Sequence, residues 1–577
     1  MATLRKPSVE KPWLKYYPEK SRNVVFPERT IYNHLKELAQ DRLDCPALHY
    51  YGKEFSFGEL IDQIDMYANS YAALGVKAGD IVSFCTVGFP EIIASFYALN
   101  KLGATANFID PRYHAKGIKK ILEDAKSDIL VMIDIAYPKF KGFIHEMGFK
   151  HVIVQSPNYS LPSVVKFIRN IKHGSRVPKE RLFLNWKEFV SLSVTAKAVE
   201  APYVGDATSA IVYTGGTTGA PKGVMLTNDS INTVALNFLY QGIDYNYDQC
   251  FLNIMPIFSS FGIVCGIHMP LTMGVKVIII PQFQLPNLPK IFKKYKPNHM
   301  IAVPAFYEAV IESNEVKDMD LSFFLMAGSG GDTMNAGLEQ KLLKFFKEHN
   351  CKYPLAQGYG MSEVSAAASF CFNNNFKSLS VGLPSLTTTI GIFKPGTTEE
   401  LGYNEQGEIC ISGKSLMKGY YNNQEETDKV LIRHEDGQLW VHSGDIGHID
   451  EDGFLFIDGR VKQMVTRFDG HKVFPSHIED VLTKHASIAS CAVVGIPDRV
   501  HGQGMYPLAL MKLTEEAESS ADKKALREEL LAMSNELLEE RGRPIDIVFI
   551  DEMPRTGLTK IDYMTLTEQY KDYQVEA

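Results

Sequence analysis

The chain has 577 residues, 45% hydrophobic and 22% charged, which is the composition of a globular protein with large cores rather than a disordered or fibrous one. Its net charge is −8 and its pI near 6.1, so nucleic acid is not expected as a partner. The eight cysteines stand singly, with no C-x-x-C and no H-E-x-x-H, so neither a disulfide framework nor a zinc site is expected and a reducing, cytoplasmic setting fits.

The N-terminus lacks the apolar core of a signal peptide. Residues 1–30, with Pro7, Pro12, Pro18 and Pro27 set among charges, read as an extended arm over the surface. From Thr30 helical and strand patterns alternate: helix 31–42, strand 81–87, helix 91–102, and strands 104–109, 128–133 and 152–154. That alternation predicts βαβ units and parallel sheets. In 163–182, Val164, Val165, Phe167, Ile168 and Ile171 interleave with Lys166, Arg169 and Lys172, and Arg176, Lys179 and Arg181 follow. Such a stretch suits either peripheral contact with an anionic membrane or a solvated insertion helix, the second being favoured. The uncharged run 251–275 is broken by Asn253, Pro256, Ser259, Ser260, His268 and Pro270, so no spanning helix is expected. Strand 275–281, helix 288–295, strand 299–303 and helix 338–349 follow. After Ser380 short strands take over (388–393, 407–413, 437–449, 453–458), the texture of a β-rich subdomain. A boundary with a hinge at Lys462 divides an N-terminal domain, 1–461, from a small mobile α+β C-terminal domain, 462–577, in which 517–524 reads as a charged loop. The fold class is therefore α/β, with large βαβ-type sheets, a β-rich subdomain and a small second domain. Repeats at solenoid periods are absent.

The most informative stretch is Ile211-Val-Tyr-Thr-Gly-Gly-Thr-Thr-Gly-Ala-Pro-Lys-Gly223. A β-prone run leads into Thr214, then Gly215, Gly216, Thr217, Thr218 and Gly219, with Lys222 close behind. Glycines let successive backbone N–H groups turn toward one point and form an anion-binding nest. The threonine hydroxyls add donors and Lys222 adds charge, so a polyphosphate is the natural guest. A Walker A loop is excluded, because there lysine follows the last glycine directly; here two residues separate Gly219 from Lys222.

This stretch resembles the phosphate-binding signature of the adenylate-forming superfamily, and its Tyr-Thr-Gly-Gly-Thr-Thr-Gly form is most like that of AMP-forming fatty acyl-CoA synthetases. The resemblance extends from about residue 30 to Lys560. It implies activation of a carboxylic acid by MgATP to acyl-AMP and pyrophosphate, then transfer of the acyl group to coenzyme A. Such a reaction needs charge neutralisation and positioning more than covalent help from the protein.

Further motifs carry the same resemblance. In Gln357-Gly-Tyr-Gly-Met-Ser-Glu363 it implies adenine at Gln357, Gly358 and Tyr359, α-phosphate at Ser362 and Mg²⁺ at Glu363. Asp445 in His442-Ser-Gly-Asp445, with Arg460, matches the ribose-binding pair. Ala327-Gly-Ser-Gly-Gly-Asp332 resembles the turn bordering adenine and acyl pocket, through Gly330, Gly331 and Asp332. Phe258, Ser259, Phe261 and Gly262 correspond to the segment beside the acyl pocket, Ser259 standing where relatives often have histidine; each phenylalanine fits core packing equally well. Gly470 in Asp469-Gly-His-Lys-Val-Phe-Pro475 would let a pantetheine arm pass, and His477 replaces a glutamate common in relatives. Lys560 in Pro554-Arg-Thr-Gly-Leu-Thr-Lys560 matches the C-terminal catalytic lysine, with Thr559 where glycine is usual. The catalytic set implied is Lys560, Glu363, Ser362 and Thr214. A stand-alone ligase loading a carrier-protein phosphopantetheine is the nearer alternative, though no insertion of the kind fatty acyl-AMP ligases carry precedes the hinge. A noncatalytic nucleotide-binding regulator is the further one, disfavoured by Glu363, Asp445, Arg460 and Lys560.

Overall fold

A computed structural model describes residues 5–162, 177–214, 221–243, 245–461, 463–556 and 560–574. Residues 163–176, which carry most of the basic stretch, the loop residues Gly215, Gly216, Thr217, Thr218 and Gly219, and Lys462 lie outside these ranges. Among the described residues no helix is long and apolar enough to cross a membrane.

Two large sheets organise the chain. One runs Gly419–Tyr420, Lys222–Thr227, Thr208–Thr214, Thr105–Ile109, Ile81–Cys85, Ile129–Ile133, His151–Gln155, Phe183–Asn185. Its inner members Thr105–Ile109 and Ile129–Ile133 are buried at every position and pair in parallel with their neighbours, as the βαβ alternation predicts. The other runs Leu383–Pro384, Ser369–Phe370, Ala356–Tyr359, Met326–Ser329, His299–Ala302, Cys250–Asn253, Lys276–Ile279, Pro46–Tyr50, Lys53–Ser56. Helix Pro90–Lys101, entered through proline at its first position, is buried in all but its last residue. Its Asn100 holds the Tyr32 N–H, the Ser209 hydroxyl and the Asn228 carboxamide (2.8–3.0 Å), tying three segments together.

The β-rich subdomain is an antiparallel sheet of Thr388–Phe393, Gly407–Gly413, Leu439–Ile449 and Leu431–Arg433, with Leu455–Arg460 also paired to Leu439–Ile449. Further on, Ile488–Pro497, Met505–Leu513 and Asp546–Phe549 form a small sheet. Helices Pro475–Leu482 and Lys523–Leu537 cover it through a core of Ile478, Leu482, Val493, Ala509, Leu526, Leu530 and Ile547.

Two expectations need correction. The N-terminal arm is not extended: Pro7 and Pro12 start short helical turns, Pro7–Glu10 and Pro12–Tyr16, because proline fixes φ near the helical value. Trp13 and Tyr17 are fully buried, the Tyr17 hydroxyl donates to the Pro384 carbonyl (2.9 Å), and the arm's Trp13 backbone lies so close to Gly453 (φ +96°) that a Cβ there would sit 2.8 Å from the Trp13 nitrogen. Nor is 517–524 a loop. Thr514 caps Glu515–Ser520 and Asp522 caps Lys523–Leu537, their side chains accepting from the Ala517 and Ala525 N–H groups.

Candidate active site

Strand Thr208–Thr214 pairs antiparallel with Lys222–Thr227, and in that register Thr214 stands opposite Lys222. The two ends of the glycine–threonine loop are therefore fixed side by side at the end of a buried strand. The Lys222 ammonium pairs with the Glu426 carboxylate and lies 4.9 Å from the centre of the Tyr420 ring. Tyr420 in turn donates its hydroxyl to Glu363 Oε1 at 2.6 Å. Burial first, and then the Glu363 carboxylate, raise the Tyr420 phenol far above its ordinary value, so it stays a donor. Lys222, Tyr420, Glu363 and Glu426 thus form one chain of contacts, of which the sequence reading named only the first and third.

Glu363 is buried in a single 3₁₀ turn, Ser362–Val364, just after strand Ala356–Tyr359. The turn is tight: Ser365 and Ala366 have φ of +59° and +110°, and Gly360 lies so near the Ala366 carbonyl that a Cβ there would approach the oxygen to 1.6 Å. Non-glycine residues held at such φ values store strain, which clusters where side chains must be aimed. One buried carboxylate beside a hydroxyl suits magnesium, which keeps most of its shell in water or phosphate oxygens.

A second set gathers around Asp445. Tyr359 donates its hydroxyl to Asp445 Oδ2 (2.7 Å), and Arg460 Nε meets Oδ1 at 2.9 Å. Asp445 and Arg460 are register partners on adjacent strands, so the pairing follows from the sheet. Burial and then Asp445 push the Tyr359 phenol well up. Beneath Asp445 the turn is braced by Glu408, which accepts from the Gly444 N–H (3.0 Å) and contacts His442 Nδ1 (3.0 Å), while His442 Nε2 meets His434 Nε2 at 2.9 Å. Cys410 lies with Glu408 and His442 in one buried cluster, their ligand-type atoms within 4.8 Å of one another. Both Glu408 oxygens already serve the turn, so the cluster reads as a brace.

Ser362 Oγ is 3.0 Å from Ser260 Oγ. Ser259 is turned into its own loop, donating to the Pro256 carbonyl (2.8 Å) and accepting from the Gly262 N–H (3.0 Å). The serine that reaches the Ser362 hydroxyl is therefore Ser260, not the neighbour that aligns with the usual histidine. Gly262 is required by close approach, since a Cβ would come within 1.9 Å of the Pro256 oxygen. A buried π-helix, Phe261–His268, follows; such helices are rare and concentrate at functional sites. Phe261 flanks Gly331, and Gly330 abuts the Gly358 carbonyl. Phe258 faces the guanidinium of Arg112, 5.1 Å from its ring centre, and Arg112 is itself bound in a fork to Asp110 (2.7–3.0 Å). Asp332 is exposed and accepts from the Thr333 N–H (3.0 Å). Gln357 is buried and donates to Glu339, which also accepts from the Leu379 N–H (2.8 Å).

Gly470 (φ +80°) sits exposed at the turn of the hairpin Val465–Thr466 and Lys472–Val473. Lys560 is placed by its backbone, in the hairpin Arg555–Thr556 and Lys560–Ile561. Arg555 of that hairpin is within electrostatic reach of Glu308. Burial raises the Glu308 carboxyl while Lys341 and Arg555 pull it back, and Asp332 adds to the burial and the Glu479 contact that raise the Tyr563 phenol.

Comparison with known proteins bears on this arrangement. The model of the AMP-binding enzyme family matches residues 35–421, and that of the AMP-binding enzyme C-terminal domain matches 477–560. A long-chain-fatty-acid–CoA ligase of Bacillus subtilis is 28% identical, over 97% of this chain and 98% of its own length. A 4-coumarate–CoA ligase of Narcissus pseudonarcissus is 29% identical over 78% of each chain. Among solved structures, ATP-bound MatB from Rhodopseudomonas palustris superposes with a TM-score of 0.79 at 21% identity, over 94% of this chain and 99% of that one. An anthranilate CoA ligase in complex with anthranoyl-AMP gives the same TM-score of 0.79, at 21% identity and over 95% and 98% of the two chains.

Proposed function

The chain belongs to the AMP-binding enzyme family; it is an AMP-forming, ATP-dependent acid–thiol ligase working with magnesium and coenzyme A, and we propose that its acid is a fatty acid. The observation that carries this reading is the lining beside Ser362. Ser260 touches Ser362, the next residue, Phe261, packs with Val303 about Gly331, and both Phe258 and Phe261 are only partly buried, while the rest of Phe261–His268 is core. The one imidazole of that helix, His268, is already engaged by Tyr97 (3.0 Å) and Asn232 (2.9 Å), and burial keeps it neutral. Arg112, the cation beside Phe258, is committed to Asp110. An apolar chain is the guest such a wall favours. The full-length similarity to the Bacillus subtilis long-chain ligase supports the same choice. Pyrophosphate release across saturated acids of rising length, hydroxycinnamates and dicarboxylates tests it. Long aliphatic acids should give the highest kcat/KM; a higher value for either other class would overturn it.

In the chemistry proposed, the acid's carboxylate attacks the α-phosphorus, the bond to the β-phosphate oxygen breaks and pyrophosphate leaves. A thiolate then attacks the acyl carbon and AMP leaves. Thr214, Gly215, Gly216, Thr217, Thr218, Gly219 and Lys222 cradle the outer phosphates. Tyr359 faces adenine with its ring plane fixed by the bond to Asp445, while Asp445 and Arg460 take the ribose hydroxyls. Ser362 donates to the α-phosphate, Glu363 holds magnesium, and Gly330, Gly331, Phe258 and Phe261 border the acyl chain. The metal, when bound, neutralises phosphate charge. Lys560 serves the first half-reaction and Gly470 admits the thiol in the second, so the segment from Lys462 onward acts as a unit that turns between them. Coenzyme A rather than a carrier protein supplies that thiol.

A further inference from the structure

Lys222 does not present a free ammonium. In the structure its charge is taken by Glu426, on the short helix Gln424–Val430 that follows strand Gly419–Tyr420. Both side chains keep a quarter or more of their surface exposed, 25% and 29%, so the contact is reachable by water and by a competing anion. The two oxygens of Glu426 are divided: Oε2 meets Lys222, and Oε1 accepts from Lys429 at 2.6 Å. Lys429 also reaches Glu425 at 2.8 Å. Loss of Lys222 would therefore leave Glu426 with a cation rather than an unpaired charge. Lys222 likewise has a second support, the face of the Tyr420 ring, whose hydroxyl holds Glu363.

We propose that Glu426 is a displaceable counter-ion for Lys222, a positioning residue that parks the ammonium beside Tyr420 and Glu363 and yields it to the polyphosphate of the incoming nucleotide. The inference rests on reading Lys222 as a phosphate-binding cation. Lys222 and Lys429 together hold the Glu426 carboxyl at about 2, so the counter-ion is charged at every working pH and the exchange is one anion for another. The nucleotide must then compete with an internal carboxylate, and its apparent affinity is lowered by that competition.

Glu426→Gln keeps the shape and removes the charge. Glutamine is also at home at this position, the third of its helix, where the backbone N–H is capped by Asn423. The variant should lower KM for ATP about three- to ten-fold, with the change falling on that KM rather than on kcat and the KM for the acid unmoved. In a Lys222→Ala background the same substitution should be silent. An unchanged or raised KM for ATP in Glu426→Gln, or an equal drop without Lys222, overturns the proposal. Should Lys222→Ala alone keep the wild-type KM for ATP, the reading of Lys222 fails instead, and the two failures are thereby told apart. Thermal melts of all three proteins check that a merely structural tie has not been cut.

Discussion

At one end of the candidate site Asp445 is buried, with its oxygens taken by Tyr359 and Arg460 and its turn braced by Glu408; at the other, Lys222 and Glu426 meet in partial contact with water. The first end is assembled from cross-strand register, so its geometry exists whether or not a nucleotide is present. The second is an ion pair between the first residue of strand Lys222–Thr227 and the short helix Gln424–Val430. Stability and recognition are therefore separable here. A buried carboxylate with two donors supports the fold and the ligand together, because removing it strands its partners. A half-exposed ion pair contributes little to the fold, and that frees its charges for exchange.

Asp445→Asn is expected to have the largest effect. It should cut ATP-dependent turnover about a hundred-fold or more and cost about 1–3 kcal/mol of stability, read from steady-state kinetics and urea melts of one preparation. Lys222→Ala comes next: turnover at limiting ATP should fall about ten- to a hundred-fold while stability stays within about 1 kcal/mol. Comparable stability losses at both ends would break the comparison.

A carboxylate in the small domain sharpens it. Glu479 is half-buried and accepts from the Val493 N–H (2.7 Å) and the Tyr563 hydroxyl (2.9 Å) through the same oxygen, and the desolvation of its carboxyl lifts it from 4.5 to about 7. Because the folded-state value is raised, its contribution to stability is full below 4.5 and is lost as pH rises through about 7. Glu479→Gln keeps the accepting oxygen and removes the titration. Its stability should therefore decline less than the wild type's between pH 5 and pH 8, the smallest of these effects; an unchanged slope would show that Glu479 does not titrate there.

Much of this was legible in the sequence, and the exceptions have physical reasons. Contiguous motifs carried Tyr359, Glu363, Asp445 and Arg460, and the structure brings Tyr359, Asp445 and Arg460 into direct contact. The helix 288–295 and the strands 388–393 and 407–413 fall where the hydrophobic pattern put them, because each repeats at the period of its own element. Partners drawn from distant segments were not legible: Tyr420 lies 57 residues from Glu363, Glu426 is 204 from Lys222, and Ser260 is 102 from Ser362. The arm was misread because its order comes from burying Trp13 and Tyr17 against other segments, which leaves no periodic trace. The short helix Glu515–Ser520 is announced only by its capping residue Thr514, which the density of charge around it masked.

The central claim is that one site performs two half-reactions with different parts of the segment after residue 461. Its most direct test is to follow acid-dependent exchange of pyrophosphate into ATP without coenzyme A, and thiolysis of supplied acyl-AMP by coenzyme A, in wild type and in Lys560→Ala. The account predicts that Lys560→Ala abolishes the exchange and leaves thiolysis largely intact. Equal loss of both reactions in the folded variant, or exchange that persists without Lys560, would contradict it.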